Sequence, residues 1–566
     1  MTNYLTTNRN SNNPLSKGPL EIPDYLSGQN DTTEPEYFGS ASNFSFVNQL
    51  NHFLQQLDGS DTNHEKGLER FGAKPMVLAD SFRDSDFSLD SISNETMHEL
   101  LVAFLETWTI PCPLFDAHQL FTLAFDTWKN PYSSANDQAL LYLILSLGAA
   151  TSYFDLDESS PNAFPVARGL FSLALNTVPR ICSQVSFEAV RVVFFMSLCA
   201  CSLGDTALSY LYTGIAVRIL VAIGLHKNST VKKMPHSFDS KHHRRVWVCV
   251  WQFEKYWSFC VGRPSGLSEY VATPEVKEED FEYAGYGDSK LFRQTSEHMK
   301  LRVSFASSLS KVHAELYNTK NELLAILSKV ERFSIEIDQA YFNCRDRQLF
   351  QANVDDSVEQ LERSTVIEWF WIRIYYLYLK VIIFRPFLIF SAYLGNAAAS
   401  VSDSIRNKIK SGSDTCVDVA IELSNFIIKL NGKVRMSQPI IFISTYLESA
   451  STVLLFYIVS NISEISDSLA RNIWNVLHAT RNFLNGSYGS YLDTTKILAR
   501  DGLESLHNLL IKRKNDKNTT FLDKIMKPVV IGSPMAQINS IDLQDDAGLE
   551  AVWAQTLNWI SYAPQT

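Results

Sequence analysis

The chain has 566 residues, of which 46% are hydrophobic and 20% charged, so a large core can form and global disorder is excluded. Its formal net charge is -11, the opposite of the basic surface that a protein usually presents to the phosphates of duplex DNA. Glycine and proline are scarce outside the ends, which favours long helices. We therefore predict an all-α protein: a large bundle of antiparallel helix pairs with a disordered N-terminal arm and C-terminal tail.

Residues 1–90 form the predicted arm, because they are rich in Asn, Ser, Thr, Gly and Asp and show little apolar periodicity. One island within it, residues 37–46, concentrates aromatic side chains in the sequence YFGSASNFSF. A cluster of this kind in a polar segment is expected to dock on the rest of the protein.

The helical body is predicted over residues 91–530 and begins near Ser93, which can cap the first helix. Apolar residues then recur at helical spacing until Pro111 and Pro113. Further helices are predicted at 137–148, 165–175, 187–203, 206–224, 241–261, from 299 onward, and at 358–384, 414–430, 439–459 and 463–483. Gly204 and Gly224 lie where helix C-caps are needed.

Two segments of the body have unusual composition, and for both an ordinary structural role is favoured over a functional one. The polar stretch 269–292 carries a run of acidic residues and is predicted to be a solvated loop. The apolar run 369–394 is the most membrane-like, but Arg373, Lys380 and Arg385 interrupt it, so a buried core helix is predicted and no membrane partner.

Two basic clusters are candidate nuclear import signals, although a solvated surface is the favoured interpretation of both. The first contains Arg244 and Arg245 at a helix start, where they oppose the helix dipole. We expect them to pair with carboxylates, of which Asp239 is nearest in sequence. The second is Lys512, Arg513 and Lys514.

The sequence contains no G-x-S-x-G, H-E-x-x-H, G-x-x-x-x-G-K-[ST] or G-x-G-x-x-G motif, so an enzyme is not predicted and no metal or cofactor is expected in this chain. Metal binding by the cysteines is also not predicted. The eight cysteines include no C-x-x-C pair and mostly lie in apolar runs, as small buried side chains of a reducing compartment do.

Several ordered motifs resemble the fungal-specific transcription factor domain, the middle homology region of zinc-binuclear-cluster regulators. The resemblance is strongest over residues 95–460. The motif residues are Gly224, Leu225 and His226 after an apolar helix; Arg244, Arg245 and Trp247; Gly262, Arg263 and Pro264; and Arg385 and Pro386. The YFG sequence from Tyr37 resembles an element that precedes the domain. The family's Asp-Arg pair is replaced by Glu254 and Lys255.

These motif residues are predicted to be structural. The helix around Trp247 is apolar nearly all round, so it should be central. Gly262 and Pro264 are predicted to terminate it, and Pro386 is predicted to end the long helix, because the residue before proline avoids the α region.

The resemblance implies a nuclear regulator of RNA polymerase II genes, which can shuttle with the cytoplasm. The family's DNA reader holds zinc with C-x-x-C pairs ahead of the domain, whereas the first cysteine here is Cys112. Direct DNA binding is therefore expected only if a zinc cluster is supplied upstream or by a partner. The implied partners are coactivators or the transcription machinery, and a DNA-binding protein or a second copy of the chain.

The tail, residues 531–566, interleaves acids with large apolar side chains and is a candidate activation segment. Its key residues are Asp545, Asp546, Leu549, Trp553, Leu557 and Trp559. A helix that docks on the protein's own body is an equal alternative. For the whole chain, the alternative function is a small-molecule-responsive sensor or antagonist without DNA binding, with an effector held between helices.

Overall fold

The computed structural model describes residues 25–27, 36–58, 87–109, 111–115, 117–152, 163–227, 230, 240–267, 273–281, 296–317, 323–343, 363–394, 402–433, 440–461 and 465–488. The predicted activation segment, the basic cluster at Lys512, and both Cys344 and Asp239 lie outside these residues.

The described elements begin with a short antiparallel pair of strands, β1 and β2, and continue almost entirely as helices. In the first part of the chain they are β1 Tyr25–Ser27, β2 Glu36–Phe38, α1 Asn43–Asp58, α2 Asn94–Trp108, α3 Ala117–Thr127, α4 Ala135–Ser152, α5 Ala163–Leu175, α6 Val178–Cys182, α7 Phe187–Ser202 and α8 Thr206–Ala222.

The second part consists of seven further helices, again joined mostly by short connections. They are α9 Ser240–Cys260, α10 Ser296–Val312, α11 Leu323–Phe342, α12 Arg363–Leu394, α13 Asp403–Lys433, α14 Ile440–Ser460 and α15 Asp467–Tyr488. A π-helical turn, His313–Tyr317, extends α10. The all-α prediction is confirmed.

Helix starts follow the capping rules that the sequence suggested. Ser93 accepts a hydrogen bond from Thr96 N at the start of α2, at 3.0 Å. Ser186 caps α7 in the same way, and the Asp205 carboxylate accepts from Leu208 N at the start of α8. Each cap satisfies an amide that the helix leaves without an intrahelical partner.

Helix ends at Gly204, Gly224 and Gly262 share one motif. All three glycines have positive φ, of 89°, 79° and 66°. In each case the glycine amide and the next amide turn back to carbonyls of the last helical turn, as when Leu225 N donates to Leu220 O. This is the Schellman C-cap, which a residue with a Cβ adopts only at a cost.

Neighbouring helices pack in pairs, most extensively α4 with α5, α7 with α8, and α12 with α13. Helix α9 lies at the centre, against α8, α10 and aromatic residues of α12 and α14. Every residue from Arg245 to Cys260 is buried, as the all-round apolar pattern near Trp247 predicts.

Helix α12 corrects the prediction that Pro386 ends the long helix, because it continues to Leu394. A proline within a helix leaves the carbonyl four residues earlier without its amide donor. Here that carbonyl belongs to Ile382, and the Tyr317 hydroxyl donates to it at 2.7 Å. A side chain from another helix thus replaces the missing bond and lets the helix pass through the proline.

Two other predictions differ more widely from the structure. Helix α13 begins at Asp403 instead of 414. Helix α1 lies wholly within the predicted disordered arm. Its run of apolar residues at helical spacing is short, and the helix gains stability from packing on α14.

The apolar run in α12 is long enough to cross a membrane by length and composition, over Val366–Ala392. However, 78% of its most apolar window is buried within the protein. It contacts α10, α11, α13 and α14. This packing is that of the core helix predicted from its interrupting charges.

Candidate functional site

The island predicted to dock does so, and it forms the best-defined polar site of the described chain. We call residues 36–50 the docked segment. Its buried side chains are Phe38, Ser40, Ala41, Ser42, Asn43, Ser45, Phe46, Val47, Gln49 and Leu50. A segment of this composition has little core of its own, so its order comes from the surface that holds it.

A tight turn at Ser42 shapes the docked segment before α1. Its amide and its hydroxyl both donate to Gly39 O, at 3.0 and 2.8 Å. The same hydroxyl oxygen accepts from Ser45 N at 3.1 Å, which caps α1. The turn therefore aims the backbone of residues 39–41 at the body.

Two glycine backbones meet where the docked segment crosses the end of α9. Gly39 N donates to Gly262 O at 3.1 Å. A Cβ on Gly39 would lie 2.0 Å from Gly262 O, and one on Gly262 would lie 2.6 Å from Gly39 N. Only glycine at both positions permits this approach.

Arg263 holds the first part of the docked segment. Its Nε donates to Tyr37 O at 3.1 Å, and its guanidinium lies 5.4 Å from the Phe38 ring and 5.3 Å from the Tyr210 ring. The Tyr210 hydroxyl in turn donates to Pro264 O at 2.8 Å. The motif Gly262-Arg263-Pro264 is therefore a clamp as well as a helix end.

Arg385 holds the second part and is completely buried. Its Nη2 donates to Ala41 O, and its Nε donates to Tyr317 Oη at 3.3 Å. The guanidinium lies between the rings of Phe46, at 4.8 Å, and Tyr317, at 5.2 Å. Two aromatic faces, the Ala41 carbonyl and the Tyr317 hydroxyl thus solvate a cation whose burial is otherwise costly.

The remaining anchors come from α10 and α14. Ser40 Oγ donates to Tyr317 O at 2.9 Å, and Asn43 Nδ2 donates to Thr445 O at 3.2 Å. The Phe46 ring stacks on Phe456 at 5.6 Å. The docked segment therefore ties together four helices that are far apart in sequence.

Glu254 and Lys255 support the clamp from beneath. The Glu254 carboxylate accepts from Ser265 Oγ at 2.9 Å and from Gly266 N, and Lys255 Nζ donates to Leu267 O at 3.0 Å. Burial raises the pKa of Glu254, and Lys255 acts against that rise. The pair fixes the loop that carries Arg263.

Arg244 and Arg245 lie in a separate buried cluster. Arg244 Nε donates to the Asp280 carboxylate at 2.8 Å, and Arg245 Nη1 donates to Asp280 O at 3.4 Å. Asp280 is 1% exposed, and its hydrogen bonds raise the pKa of Arg244.

This cluster corrects two predictions and confirms a third in part. The acidic stretch is not simply a solvated loop, because Asp280 is buried against α9. Arg245 is not part of a solvated surface, because it is also buried. The predicted pairing with a carboxylate is confirmed for Arg244, but Asp280 provides it, 36 residues along the chain. Arg245 instead donates to the backbone carbonyl of the same residue.

Gly224, Leu225 and His226 form the C-cap of α8. Leu225 is buried, and burial together with Lys227 lowers the pKa of His226. None of the described contacts links these residues to the clamp. Gly224 and Leu225 supply the amides of this cap, and a purely structural role for the three residues stays a prediction.

A central cavity lies between α2, α9, α10 and α12 and has about 40 Å³ of free volume. Its walls are mainly aromatic, with Gln252, Arg302, Cys112 and Cys249 as the polar and sulfur-bearing groups. Arg302 Nη2 donates to Pro111 O at 2.7 Å. The other wall residues are Trp108, Phe253, Tyr256, Phe305, Trp371, Tyr375, Tyr378, Leu198, Ala306, Leu309 and Leu379.

The structure therefore brings together three motifs that the sequence treated separately: the YFG island, Gly262-Arg263-Pro264 and Arg385-Pro386. Sequence reasoning missed that these motifs contact one another. The sequence feature that could have indicated this contact was Arg385. It is a full charge inside a long apolar helix, and a buried charge requires a specific partner.

Comparison with known proteins supplies the class that this architecture belongs to. The family described as "Fungal specific transcription factor domain" matches residues 101–364. The chain is 48% identical to "Zinc finger protein grt1" of Schizosaccharomyces pombe, over 97% of this chain and 90% of that protein.

More distant relatives match only parts of the chain. They include "Thiamine repressible genes regulatory protein thi1" of Schizosaccharomyces pombe, at 27% identity over 31% of this chain and 23% of that protein. "Protein STB5" of Saccharomyces cerevisiae is 22% identical over 44% of this chain and 34% of its own length.

The helical body and these similarities define a transcription regulator. The chain belongs to the family of fungal transcriptional regulators that carry the fungal-specific transcription factor domain. The resemblance carried by its motifs is thereby confirmed.

Proposed function

We propose that the chain regulates RNA polymerase II genes in the nucleus by using its helical body to fix the position of whatever lies N-terminal to the docked segment. The observation that supports this is the clamp of Gly262, Arg263 and Arg385 on residues 36–50. A clamped segment holds the residues on its N-terminal side at a fixed place relative to the body, whereas a flexible linker does not.

DNA contact, in this proposal, comes from a zinc cluster supplied upstream or by a partner protein. The net charge of -11 argues against a grip on duplex DNA by the body itself. Of the described residues, the basic pair Arg244 and Arg245 is engaged with Asp280. Lys512, Arg513 and Lys514 remain the candidate import signal.

The tail supplies the activating contact, and this part has a direct test. Full-length chain tethered to a heterologous DNA-binding domain is expected to raise reporter output. Trp553→Ala with Trp559→Ala should abolish at least nine tenths of that rise, because large apolar side chains carry most of the energy when an acidic segment binds a coactivator groove.

The matched control is Gln555→Ala with Asn558→Ala, two polar positions of the same segment, which should leave output unchanged. Equal protein levels are checked by immunoblot. A silent parent tether, or equal loss in both double variants, would remove the activator proposal and leave the tail as a helix that docks on its own body.

A second candidate function, response to a small molecule, has one specific observation in its favour. A groove between α11, α12 and α13 has about 760 Å³ of free volume, within the range of roughly 300–1,000 Å³ typical of ligand sites. Apolar side chains, including Leu327, Val330 and Phe387, meet hydroxyl groups in this groove.

Thermal unfolding of the full chain in the presence of candidate metabolites tests this second function. A ligand that binds the native state and is present at a concentration of 100 times its Kd stabilises that state by about 2.7 kcal/mol. It therefore raises the unfolding temperature. Ser411→Trp should fill the groove and abolish the shift. A shift that survives this substitution would place the ligand elsewhere, and no shift with any metabolite would leave this function unsupported.

A further inference from the structure

Two aromatic side chains that are almost fully exposed lie near the start of α2. Phe125, in the last turns of α3, is 87% exposed, and Tyr132, in the loop that follows, is 93% exposed. Phe121, one turn before Phe125, stacks on His98 of α2 at 5.3 Å. Since residues four apart share a side of a helix, Phe125 continues the side of α3 that faces α2.

The loop after α3 is held firmly against the start of α2. Trp128 Nε1 donates to Asn94 Oδ1 at 2.9 Å, and Lys129 Nζ donates to Ile92 O at 3.1 Å. Lys129 also has a φ of 51°, a conformation that a residue with a Cβ keeps only when its surroundings enforce it. The loop is therefore rigid, and it presents Tyr132 to solvent.

Exposed carboxylates surround these rings. Asp90 and Glu95 flank the two residues that hold the loop, Glu99 lies one turn further along α2, and Asp126 follows Phe125. No lysine or arginine of the described residues forms an ion pair with any of the four. We call this region the acidic aromatic surface, and its residues are Asp90, Glu95, Glu99, Phe125, Asp126 and Tyr132.

The negative charge of this region is concentrated and uncompensated. Residues 87–137 contain seven carboxylates, one lysine and no arginine. The other acidic run, residues 275–282, differs because Arg244 lies against Asp280 and Glu279. Exposed aromatic faces attract cations and also pack against apolar groups. The surface is therefore complementary to a segment that carries basic and apolar side chains side by side.

The chain contains one such segment outside the described residues. Residues 509–517, with the sequence LLIKRKNDK, join three apolar side chains to four basic ones. Twenty residues separate them from Tyr488, the end of α15. When extended, these span about 70 Å, whereas a compact body of this length is roughly 60 Å across. The segment can therefore reach the surface within its own chain, at a high effective concentration.

We propose that residues 509–517 dock on the acidic aromatic surface. The apolar residues 509–511 pack against the rings of Phe125 and Tyr132, and the basic residues 512–514 pair with the surrounding carboxylates. This contact is independent of the activation and effector proposals. Where the basic cluster serves as the import signal, docking covers it, so that import requires its release.

Zero-length cross-linking of the full chain tests the docking directly. A water-soluble carbodiimide joins a lysine amine to a carboxylate only when the two are in contact. Among links made by Lys512, Lys514 and Lys517 in the monomer, those to the acidic aromatic surface should be the most abundant class by mass spectrometry. The link between Lys408 and Glu331, which lie 3.0 Å apart, is the internal reference.

A double variant tests the rings without removing any group that reacts with the carbodiimide. Phe125→Ser with Tyr132→Ser should lower these links by roughly fivefold relative to the reference, because packing and cation–π contacts are lost. The matched control is Val185→Ser with Leu211→Ser, at positions that are 65% and 59% exposed elsewhere on the body. It should leave the links unchanged.

The proposal is overturned if the folded wild-type chain gives the reference link but none from residues 512–517 to this surface. It is also overturned if such links occur only in a cross-linked dimer, since the occupant is then a second copy. Equal links in the aromatic and control variants would likewise contradict it, because charge alone would then account for the contact. These readouts do not depend on whether residues 512–514 direct import.

Discussion

Replacing Gly262 with alanine is expected to destabilise the protein by roughly 2–6 kcal/mol. One part of this is the positive φ of 66°, where a residue with a Cβ pays about 1–3 kcal/mol. The other is overpacking, about 1–3 kcal/mol, since the new Cβ would lie 2.6 Å from Gly39 N and from Gly39 O. Denaturant unfolding followed by circular dichroism measures the change.

A matched substitution of opposite sign is available at Gly214, within α8. Apart from the backbone of its own helix, no atom lies within 4 Å of a Cβ built there, so alanine gains helix propensity without a clash. Gly214→Ala should stabilise the protein by up to about 1 kcal/mol. If both variants changed stability equally, the close backbone contact would not be the cause.

Gly39→Ala alters the other side of the same contact. Its Cβ would lie 2.0 Å from Gly262 O, so it should destabilise the docked segment by itself. Because either substitution separates the same two backbones, the double variant should lose less than the sum of the single losses. Additive losses would show that the two glycines act independently.

Much of the fold was predictable, because helix periodicity and capping are local properties. The starts at Ser93 and Ser186 and the glycine ends of α7 and α8 follow from residues within one helical turn. The helix through Pro386 was not predictable in this way. Its continuity depends on Tyr317, a residue distant in sequence that donates to the exposed carbonyl.

The candidate site was predictable only in its parts, for the same reason. The island was expected to dock, and Arg263 and Arg385 were recognised as motif residues. Their partners, however, lie 226 and 344 residues away along the chain. Local pattern identifies a buried arginine as costly, but only the fold shows which carbonyl and which aromatic rings compensate for that cost.

Replacing Arg385 with methionine is expected to release the docked segment while the helical body stays folded. The substitution removes a charge-assisted hydrogen bond to Ala41 O, worth about 1.5–3 kcal/mol, and the stacking of the cation on Phe46 and Tyr317, worth up to about 2 kcal/mol. Part of this is offset, because a buried charge no longer needs to be desolvated.

The net loss for docking should be about 2–3 kcal/mol, equivalent to roughly 30- to 140-fold in the docking equilibrium. Hydrogen exchange of the amides of Gly39, Ser42 and Phe46 reports it directly, since each donates a backbone hydrogen bond in the docked state. Exchange at these positions should accelerate by a similar factor, while amides of α9 keep their protection.

Arg373→Met is the matched control on the same helix. Arg373 donates to Glu422 at 2.7 Å, but Glu422 is about half exposed, and such surface pairs contribute about 1 kcal/mol or less. Hydrogen exchange of the amides of residues 39–46 should be unchanged in this control variant.

Unchanged protection of these residues in Arg385→Met would mean that Arg263 and the paired glycines suffice to hold the segment. Released exchange together with lost target-gene regulation would instead link the clamp to the transcriptional role, because the only intended change is at the contact between the segment and the body.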